Sequence, residues 1–532
     1  MKDSINKTTT AWSPFQIPIF RALWIATLIS NIGTWMHDIG ASWLMASLSP
    51  TPVMVALIQT ATTFPIFLLA MPAGALADIV DRRRYLIAVQ IWMAIVAGLL
   101  GFMTLIGFTS IWSLLILTFA MGLGSAMMMP AWAAITPELV PRAELQSAIA
   151  LNGLGINMAR ALGPALAGVI VSFSGSGAVF VLNALSYIFV IIALITWQRE
   201  APISELPRER FFSALRSGFR FARHTPDLQA AVMRGFGFFL FASASWALLP
   251  LLAKNLPDSG PQTFGSLVAC IGAGAIAGAF ILPKLREKIS RDRLVALATI
   301  VYAGTIFALA TLDQLILLCF AMAISGIAWI AILSSLQTAA QMALPNWVRS
   351  RGLAVFMAVF MGSMALGSVL WGKIAEMTSI PESLIIAAVG AIVAIAFTWR
   401  WRIGGIDKIN LTPSMHWPTP IIHDGVTHDR GPVFVTVQYI VQSDRVRDFL
   451  YATRELSRRR RQSGAFSWGI FEHAEFPNHF IEFFCVESWL EHLRQHERVT
   501  NADRSLQAEI HTLLVPGSVP TVTHYIAPNF PS

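Results

Sequence analysis

The sequence predicts an all-α membrane protein of twelve transmembrane helices in two six-helix bundles, followed by a small α+β ferredoxin-like domain. Apolar residues make up 55% of the 532 residues and charged residues only 13%, against about 25% charged residues in soluble globular proteins. The apolar residues gather in long runs, and the chain becomes more polar beyond residue 402. This composition excludes a fully soluble enzyme, a fibrous protein and a disordered chain.

Twelve apolar stretches carry the prediction of the helices, since about 20 apolar residues cross the hydrocarbon core of a bilayer. Stretches 143–173 and 350–376 exceed this length, so we expect them to tilt or to protrude into water. The twelve stretches are 20–48, 53–77, 85–107, 111–133, 143–173, 177–197, 229–252, 263–285, 293–311, 314–342, 350–376 and 382–401.

The basic residues predict the orientation of these helices. One set of alternate loops carries Arg82 to Arg84, Lys284 to Arg293, Arg349 and Arg351, whereas the other set carries Lys254 and Lys373. Because basic loops stay in the cytoplasm, we expect a multi-pass protein of the plasma (inner) membrane with both termini cytoplasmic. The net charge of +8 follows from these loops. The sequence has no basic patch interleaved with aromatic residues, so nucleic acid is not an expected partner.

The chain divides into six segments. We expect an N-terminal cytoplasmic tail at 1–19, a first bundle at 20–198, a cytoplasmic linker at 199–228, a second bundle at 229–402, a second linker at 403–430 and a cytoplasmic domain at 431–532. In the first linker, Phe211, Leu215, Phe219 and Ala222 recur at helical spacing. This pattern predicts an amphipathic helix on the inner membrane face, with its arginines toward anionic lipid.

The C-terminal domain reads as βαββαβ. Strands are predicted at 433–441, 466–473, 479–487 and 521–526, and helices at 444–461, 489–498 and 502–513, with Asp444 as an N-cap. His492 and His496 have the i,i+4 spacing that can bind zinc, but HExxH is absent and we favour a solvated helix face. Cys270, Cys319 and Cys485 form no disulfide or metal pattern. We therefore predict no metal and no cofactor.

Several motifs resemble those of the major facilitator superfamily. Gly74, Asp78 and Arg82 to Arg84 match the signature loop between its second and third helices, although Asp81 stands where that family usually has glycine. Gly163, Pro164 and Gly168 match the fifth-helix signature of its exporters. The runs NIGTWMHDIGASWLM, PELVPRAEL and LNGLGINMARALGPALAG resemble the branch that contains the enterobactin exporter. Residues 488–503 and their surroundings are similar to antibiotic-biosynthesis-monooxygenase-like domains.

The resemblance implies a secondary transporter that works by alternating access, a proton-coupled exporter of a small molecule such as a siderophore or a drug. By the same resemblance, Asp78 meets the positive N-terminus of the eleventh helix near Gly352 and gates the halves, with Gly74, Arg82, Arg83 and Arg84 in the same motif. The four charges of this motif can instead be ordinary cytoplasmic charges. No Walker A motif points to ATP.

Asp38 and Arg160 are the candidate coupling residues, because a charge inside a span is costly and usually faces a partner or a cavity. We expect the two to face each other, either as a pair that protons or substrate break or as a static ion pair; no contact is the third possibility. Asn157 lies one turn before Arg160 and can bind substrate. His37 can relay a proton, but a packed histidine is the stronger expectation.

Two other classes of function stay open at this stage. The spans can anchor a monooxygenase-like enzyme, or the C-terminal domain can gate the transporter as a ligand-binding or self-associating unit. The expected partners are a small-molecule substrate, protons and membrane lipid, with possible self-association through the C-terminal domain. Lys373 and Glu376 are expected to form an exposed i,i+3 pair, and Gly274 and Gly278 to serve helix packing.

Overall fold

The computed structural model describes residues 12–197, 211–256, 259–345, 347–403, 410–414, 416–417 and 430–528. Contacts divide the chain into two units. The first, here called the membrane unit, comprises Met1–Phe211, Ala230–Thr338 and Ala354–Gly404. The second, here called the tail unit, comprises Phe212–Gln229, Ala339–Leu353 and Gly405–Ser532.

The membrane unit is built of helices. Ten helices among the described residues are long and apolar enough to cross a membrane. The helices of the first 400 residues are α1 (Pro18–Leu48), α2 (Pro52–Ile79), α3 (Arg82–Leu105), α4 (Ile111–Leu139), α5 (Leu145–Thr196), α6 (Phe211–His224), α7 (Pro226–Asn255), α8 (Pro261–Lys288), α9 (Arg291–Thr311), α10 (Leu315–Met342), α11 (Arg349–Met377) and α12 (Ile380–Thr398).

Helix α5 consists of two arms that fold back on each other. Its 52 residues would extend about 78 Å as one straight helix, more than twice the thickness of the hydrocarbon core. The backbone leaves helical angles at Gly175, where φ is 74° and a side chain would be strained. Gly163 in the first arm and Phe180 in the second both lie against α1. The break falls between the predicted stretches 143–173 and 177–197.

Large apolar side chains cover the outside of the membrane unit. Phe173 is 82% exposed, Ile316 83% and Phe397 74%. In water, an apolar surface of this kind would drive aggregation, whereas lipid tails solvate it without cost. The exposed faces of the long helices therefore agree with a membrane setting.

The C-terminal part of the tail unit is an antiparallel sheet with helices on one face. Its strands are β1 (Val433–Ile440), β2 (Ser467–Glu472), β3 (His479–Val486) and β4 (Thr521–Ile526), in the order β2–β3–β1–β4. Helices α13 (Val446–Ser463), α14 (Trp489–Arg498) and α15 (Asn501–Thr512) accompany it. Alternate residues of β1 and β3 point to a core that includes Phe449 and Trp489.

Side-chain caps explain where two of these helices begin. Ser488 accepts a hydrogen bond from the Glu491 amide at the start of α14, and Thr500 forms a capping box with Asp503 at the start of α15. The prediction of Asp444 as the cap of α13 is wrong. That helix begins at Val446, its N-cap is Arg445, and no side chain caps it.

Helix α6 forms as predicted, but its arginines have protein partners. Arg216 contacts Glu487 at 2.9 Å, and Arg220 lies 3.9 Å from both Glu487 and Glu491. These carboxylates lie around the start of α14, so the expectation that the basic face meets lipid fails for Arg216 and Arg220. The side chains of residues 211–215 lie outside the described part of the chain.

Candidate functional site

The candidate substrate site lies where α1, α5 and α7 approach one another in the membrane unit. Asp38 on α1 is partly buried, and Trp35 stands one turn before it. The guanidinium carbon of Arg160 on α5 lies 5.6 Å from the centre of the Trp35 ring, within range of a cation–π interaction. Trp35 in turn lies 6.4 Å from Trp246 of α7, measured between ring centres. A cation, a carboxylate and two indole rings thus share one region.

Asp38 and Arg160 form no ion pair within 4 Å among the described residues, although both lie near Trp35. The contact between Arg160 and Trp35 takes the place that was predicted for a carboxylate. The Nε atom of Arg160 is buried without a hydrogen-bond partner in the described part of the chain. The predicted coupling of Asp38 and Arg160 therefore stays a prediction.

A hydrogen-bond network beside Asp38 escaped the sequence analysis. The hydroxyl of Tyr187 lies 3.1 Å from Thr34 Oγ1 and accepts a bond from Asn183 Nδ2 at 3.3 Å. Asp38 interacts electrostatically with Tyr187. The sequence signal that was available is a tyrosine and an asparagine spaced i,i+4 inside an apolar stretch, which places both on one helix face.

The described contacts of His37 and Asn157 are packing and a hydrogen bond within one helix. His37 is buried, and its ring centre lies 4.7 Å from that of Phe180. This packing agrees with the packed-histidine alternative. Asn157 donates from Nδ2 to the carbonyl of Gly153 at 2.9 Å, one turn earlier on α5. No described contact joins Asn157 to Arg160, so its part in substrate binding stays a prediction.

The second bundle contributes an aromatic wall to the same region. Trp246 lies 5.7 Å from Trp329 of α10, and Trp329 lies 5.6 Å from Phe239, measured between ring centres. Tyr302 joins this wall and exchanges a 2.8 Å hydrogen bond with Ser245. The rings of Trp329, Phe239 and Tyr302 are at most 6% exposed, so this wall belongs to the core of the second bundle and packs behind Trp246.

The two bundles touch at the end of the membrane unit that holds the α1–α2 turn. Lys254 at the end of α7 donates to the carbonyl of Ala46 at 2.7 Å. Thr60 donates to the carbonyl of Ala365 at 3.1 Å, and a side-chain carbon built on Gly372 would lie 2.7 Å from the Ala56 side chain. These contacts join α1 to α7 and α2 to α11. The central site is therefore closed toward this end.

The helix-five motif packs α5 against helices of both bundles. A carbon built on Gly163 would lie 2.5 Å from Trp35 Cβ, and one built on Gly168 would lie 3.0 Å from the carbonyl of Pro261, the first residue of α8. The backbone continues through Pro164 with helical angles. Because proline has no N–H, the carbonyl of Arg160 lacks its helical donor, and this carbonyl faces Gly272 of α8.

The signature loop fixes helix ends within the first bundle. Asp81 caps α3 by accepting from the Arg84 amide at 2.9 Å. Arg82 forms a 2.7 Å ion pair with Glu138 of α4. Arg83 donates to the carbonyls of Leu194 and Ile195 at the end of α5, where a cation is favoured by the helix dipole.

The other two members of this motif are Gly74 and Asp78. A side-chain carbon built on Gly74 of α2 would meet no described atom within 4 Å beyond its chain neighbours and its own helix backbone. The side chain of Asp78 lies outside the described part of the chain, so its gating role stays a prediction.

A buried ion pair performs a similar task in the second bundle. Arg234 of α7 lies 3.0 Å from Asp292 of α9, and both side chains are buried. Arg234 also donates to the carbonyl of Trp401 at 2.7 Å, and Asp292 accepts from the Ile403 amide at 3.1 Å. Three chain segments thus meet at one charge pair. The sequence alone does not reveal this pair, because its two partners are 58 residues apart.

Two smaller predictions about the bundles are confirmed. Lys373 and Glu376 form an exposed pair at 2.6 Å. Gly274 serves packing, since a carbon built on it would lie 1.9 Å from the carbonyl of Ala323 on α10. Gly278 faces Ile327 and Ile330 of the same helix.

The tail unit contains two polar clusters, one fully buried and one partly buried. Glu482 of β3 is fully buried and accepts bonds from Tyr439, Arg460 and Trp468.

A second cluster contains His492, His496 and His524. The predicted solvated face is wrong at His492, which is 1% exposed because α14 packs that side chain toward the sheet. Burial lowers the pKa of His492 to about 3 and also lowers the pKa of His524, so both imidazoles are neutral.

Comparison with known proteins gives the relatives of the chain. The family described as transmembrane secretion effector matches residues 9–531. The enterobactin exporter EntS of Salmonella choleraesuis is 26% identical over 402 residues, which cover 74% of this chain and 95% of that protein. EntS of Escherichia coli O1:K1 is 26% identical over 366 residues, which cover 68% of this chain and 86% of that protein.

Solved transporters share the fold. An inward-facing, unoccupied bacterial homolog of the human lysosomal transporter Spinster aligns with a TM-score of 0.56 at 15% identity, over 73% of this chain and 97% of that one. The nucleoside transporter NupG aligns with a TM-score of 0.57 at 13% identity, over 72% of this chain and 99% of that one. At this identity the likeness supports the major facilitator fold alone.

Proposed function

Because the chain belongs to the transmembrane secretion effector family of major facilitator transporters, we propose that it exports a small molecule in exchange for protons. Its similarity to enterobactin exporters along nearly their full length is the observation that carries this proposal. The transport unit is a bundle of twelve spans, counted as the ten apolar helices with α5 taken as two spans, together with α1. Both termini lie in the cytoplasm.

Alternating access fits the contacts between the bundles. In the proposed orientation, the α1–α2 turn faces outward, so the contacts at Ala46, Ala56 and Thr60 close the outer end. The arrangement is then inward-facing, ready to receive a cytoplasmic substrate. Asp38 accepts the proton that drives the return step, and Asp78 ties the halves together in the opposite state.

The chemistry of the central site favours an aromatic or anionic substrate. The indole rings of Trp35 and Trp246 offer flat apolar faces, and Arg160 offers a cation next to them. Siderophores and many drugs combine aromatic rings with acidic or polar groups. The buried aromatic wall around Trp329 packs behind Trp246 and supports its position in this site.

A paired metabolite analysis tests export. Cells producing the wild-type chain, Asp38→Asn or the exposed-site control Asp313→Asn would be grown at equal protein abundance, and mass spectrometry would compare medium with cell contents. We expect a compound that is enriched in the medium of wild-type and control cells and retained in Asp38→Asn cells. A compound exported equally by all three would contradict a role for Asp38 in coupling.

The tail unit has a surface that supports self-association. The sheet face opposite its helices exposes a row of aromatic rings from Phe471 through Phe483 and Phe434 to Tyr525, with ring centres 5.4 to 6.0 Å apart. A second copy of the same face can cover it. Chemical cross-linking of the full chain in micelles, read out as molecular mass, should show a dimer for the wild type. Phe434→Asp should abolish this dimer, whereas the control Tyr451→Asp, at an exposed position of α13, should retain it. A monomer for all three proteins would reject this association.

A further inference from the structure

We propose that His492, His496 and His524 form a binding site for a divalent transition-metal ion of the zinc class. The proposal does not depend on the transported substrate. The three imidazoles come from two elements, with His492 and His496 on α14 and His524 on β4. One ligand nitrogen from each side chain can be chosen such that all three lie within 4.8 Å of one another.

The spacing of the nitrogens is suited to a tetrahedral ion. Two nitrogens bound to one tetrahedral zinc at about 2.0–2.1 Å lie about 3.3–3.4 Å apart. The Nε2 atoms of His492 and His496 are 3.3 Å apart. The His524 nitrogen lies within 4.8 Å of the other two, so a movement of up to about 1.5 Å by this side chain completes a three-nitrogen set, which leaves a fourth position for water.

Neighbouring groups prepare His492 as a ligand. Its Nδ1 lies 3.2 Å from Gln495 Oε1, and Gln495 Nε2 donates to Ser463 at 3.4 Å. This chain of bonds directs the amide oxygen toward His492, so that Nδ1 carries the proton and Nε2 keeps its lone pair. Metal-binding histidines commonly hold their second nitrogen in this way.

The surrounding charges leave the three nitrogens as the ligand set. Glu491, the nearest acid along α14, is engaged by Arg498 at 2.6 Å. Arg460 directs positive charge toward His492, but Glu482 pairs with it at 2.9 Å. A site with imidazole ligands and no carboxylate suits zinc, copper, nickel or ferrous iron rather than magnesium or calcium. The bound ion would tie the edge strand β4 to α14.

Metal titration of the full chain in detergent micelles tests the site. The protein would carry a histidine-free affinity tag, be stripped with a chelator and be dialysed against Zn²⁺, with bound metal measured by mass spectrometry. We expect one bound equivalent, and at least a tenfold weaker affinity in His496→Ala and in His524→Ala. His511→Ala, at the exposed end of α15, is the matched control and should bind like the wild type.

Two further measurements keep the result decisive. Co²⁺ should give the absorption of a tetrahedral nitrogen site in the wild type and not in His524→Ala. His524→Gln keeps the size and hydrogen bonding of the side chain, and hydrogen exchange of β1 and β3 would report whether each variant is folded. Absence of a bound equivalent in the wild type, or undiminished binding in folded His524→Gln, would overturn the proposal.

Discussion

Glu482 is a charged residue that the fold of the tail unit removes from water. It is 0% exposed and receives bonds from Tyr439 at 2.8 Å, Arg460 at 2.9 Å and Trp468 at 2.9 Å. Burial, together with the adjacent carboxylate, raises the pKa of Tyr439 well above its ordinary value, so its phenol remains a donor. A carboxylate is tolerated here because these donors replace its lost hydration.

Replacing Glu482 should loosen the whole sheet. Glu482→Gln leaves Arg460 buried without its counter-charge, which costs about 3–5 kcal/mol. Hydrogen exchange of the full chain in micelles should then rise by about two orders of magnitude or more in β1 and β3. Glu472→Gln, an exposed position on β2, is the control and should leave exchange unchanged. Equal exchange in both variants would mean that the pair adds nothing to stability.

A buried charged residue can be recognised from the sequence only where the residues around it along the chain reveal its environment. Asp38 and Arg160 stand out because each interrupts an apolar stretch. Glu482 does not, because it lies in a strand whose alternation is regular and its partners lie 14 to 43 residues away. The contact of Arg160 with Trp35 likewise depends on how α1 and α5 approach, which residue spacing along one helix does not reveal.

At the scale of elements, close helix contacts depend on glycine. A side-chain carbon on Gly274 would lie 1.9 Å from the backbone carbonyl of Ala323, which cannot rotate away. A carbon built on Gly304 of α9 would meet none of the described atoms of other helices within 4 Å. The two glycines therefore form a matched pair in neighbouring spans, one required by packing and one not.

Alanine at these positions should have opposite effects. Gly304→Ala removes backbone freedom at an exposed position of α9 and should stabilise by up to about 1 kcal/mol. Gly274→Ala forces α8 and α10 apart and should destabilise by about 1–3 kcal/mol. Thermal unfolding of the purified protein in micelles, followed by fluorescence, measures both. A midpoint that is unchanged by Gly274→Ala would show that the two helices separate freely.

Charge pairs hold α6 within the tail unit. Glu487→Arg places a cation opposite Arg216 and Arg220 and should raise hydrogen exchange in α6 several-fold, since each exposed pair contributes up to about 1 kcal/mol. Adding Arg216→Glu to Glu487→Arg should restore part of the protection. Glu475→Arg, in the exposed β2–β3 turn, serves as the control. If α6 exchanges at the wild-type rate in every variant, its apolar contacts alone hold it.

Elements were predicted best where one local signal decides them. The strand 521–526 and the helix 489–498 have the predicted bounds, since alternation and a serine cap define them. The start of α13 was misplaced because an aspartate near a helix start is not always its cap. The arginines of α6 were assigned to lipid because their acidic partners lie about 270 residues later in the chain.

At the scale of the whole molecule, the presence of many long apolar helices follows from hydrophobicity, but the conformational state does not. The pattern of apolar stretches predicts how many helices cross and in which order. It cannot predict which end of the central site is closed, because alternating access, as proposed above, requires one sequence to have two packings of similar free energy. The contacts of Ala56 with Gly372 and of Lys254 with Ala46 identify the closed end.

A disulfide across the closed end should stop transport. Ala56→Cys combined with Gly372→Cys, in a background with Cys270, Cys319 and Cys485 replaced by serine, puts two thiols where α2 and α11 touch. A disulfide needs Cβ atoms about 3.5–4.5 Å apart, so a small separation of these helices suffices.

We expect oxidation to abolish export of the compound identified by metabolite analysis, and a reducing agent to restore it. Each single cysteine variant should transport under both conditions. Unimpaired export by the oxidised, cross-linked protein would show that this end need not open, and alternating access about the central site would then be wrong.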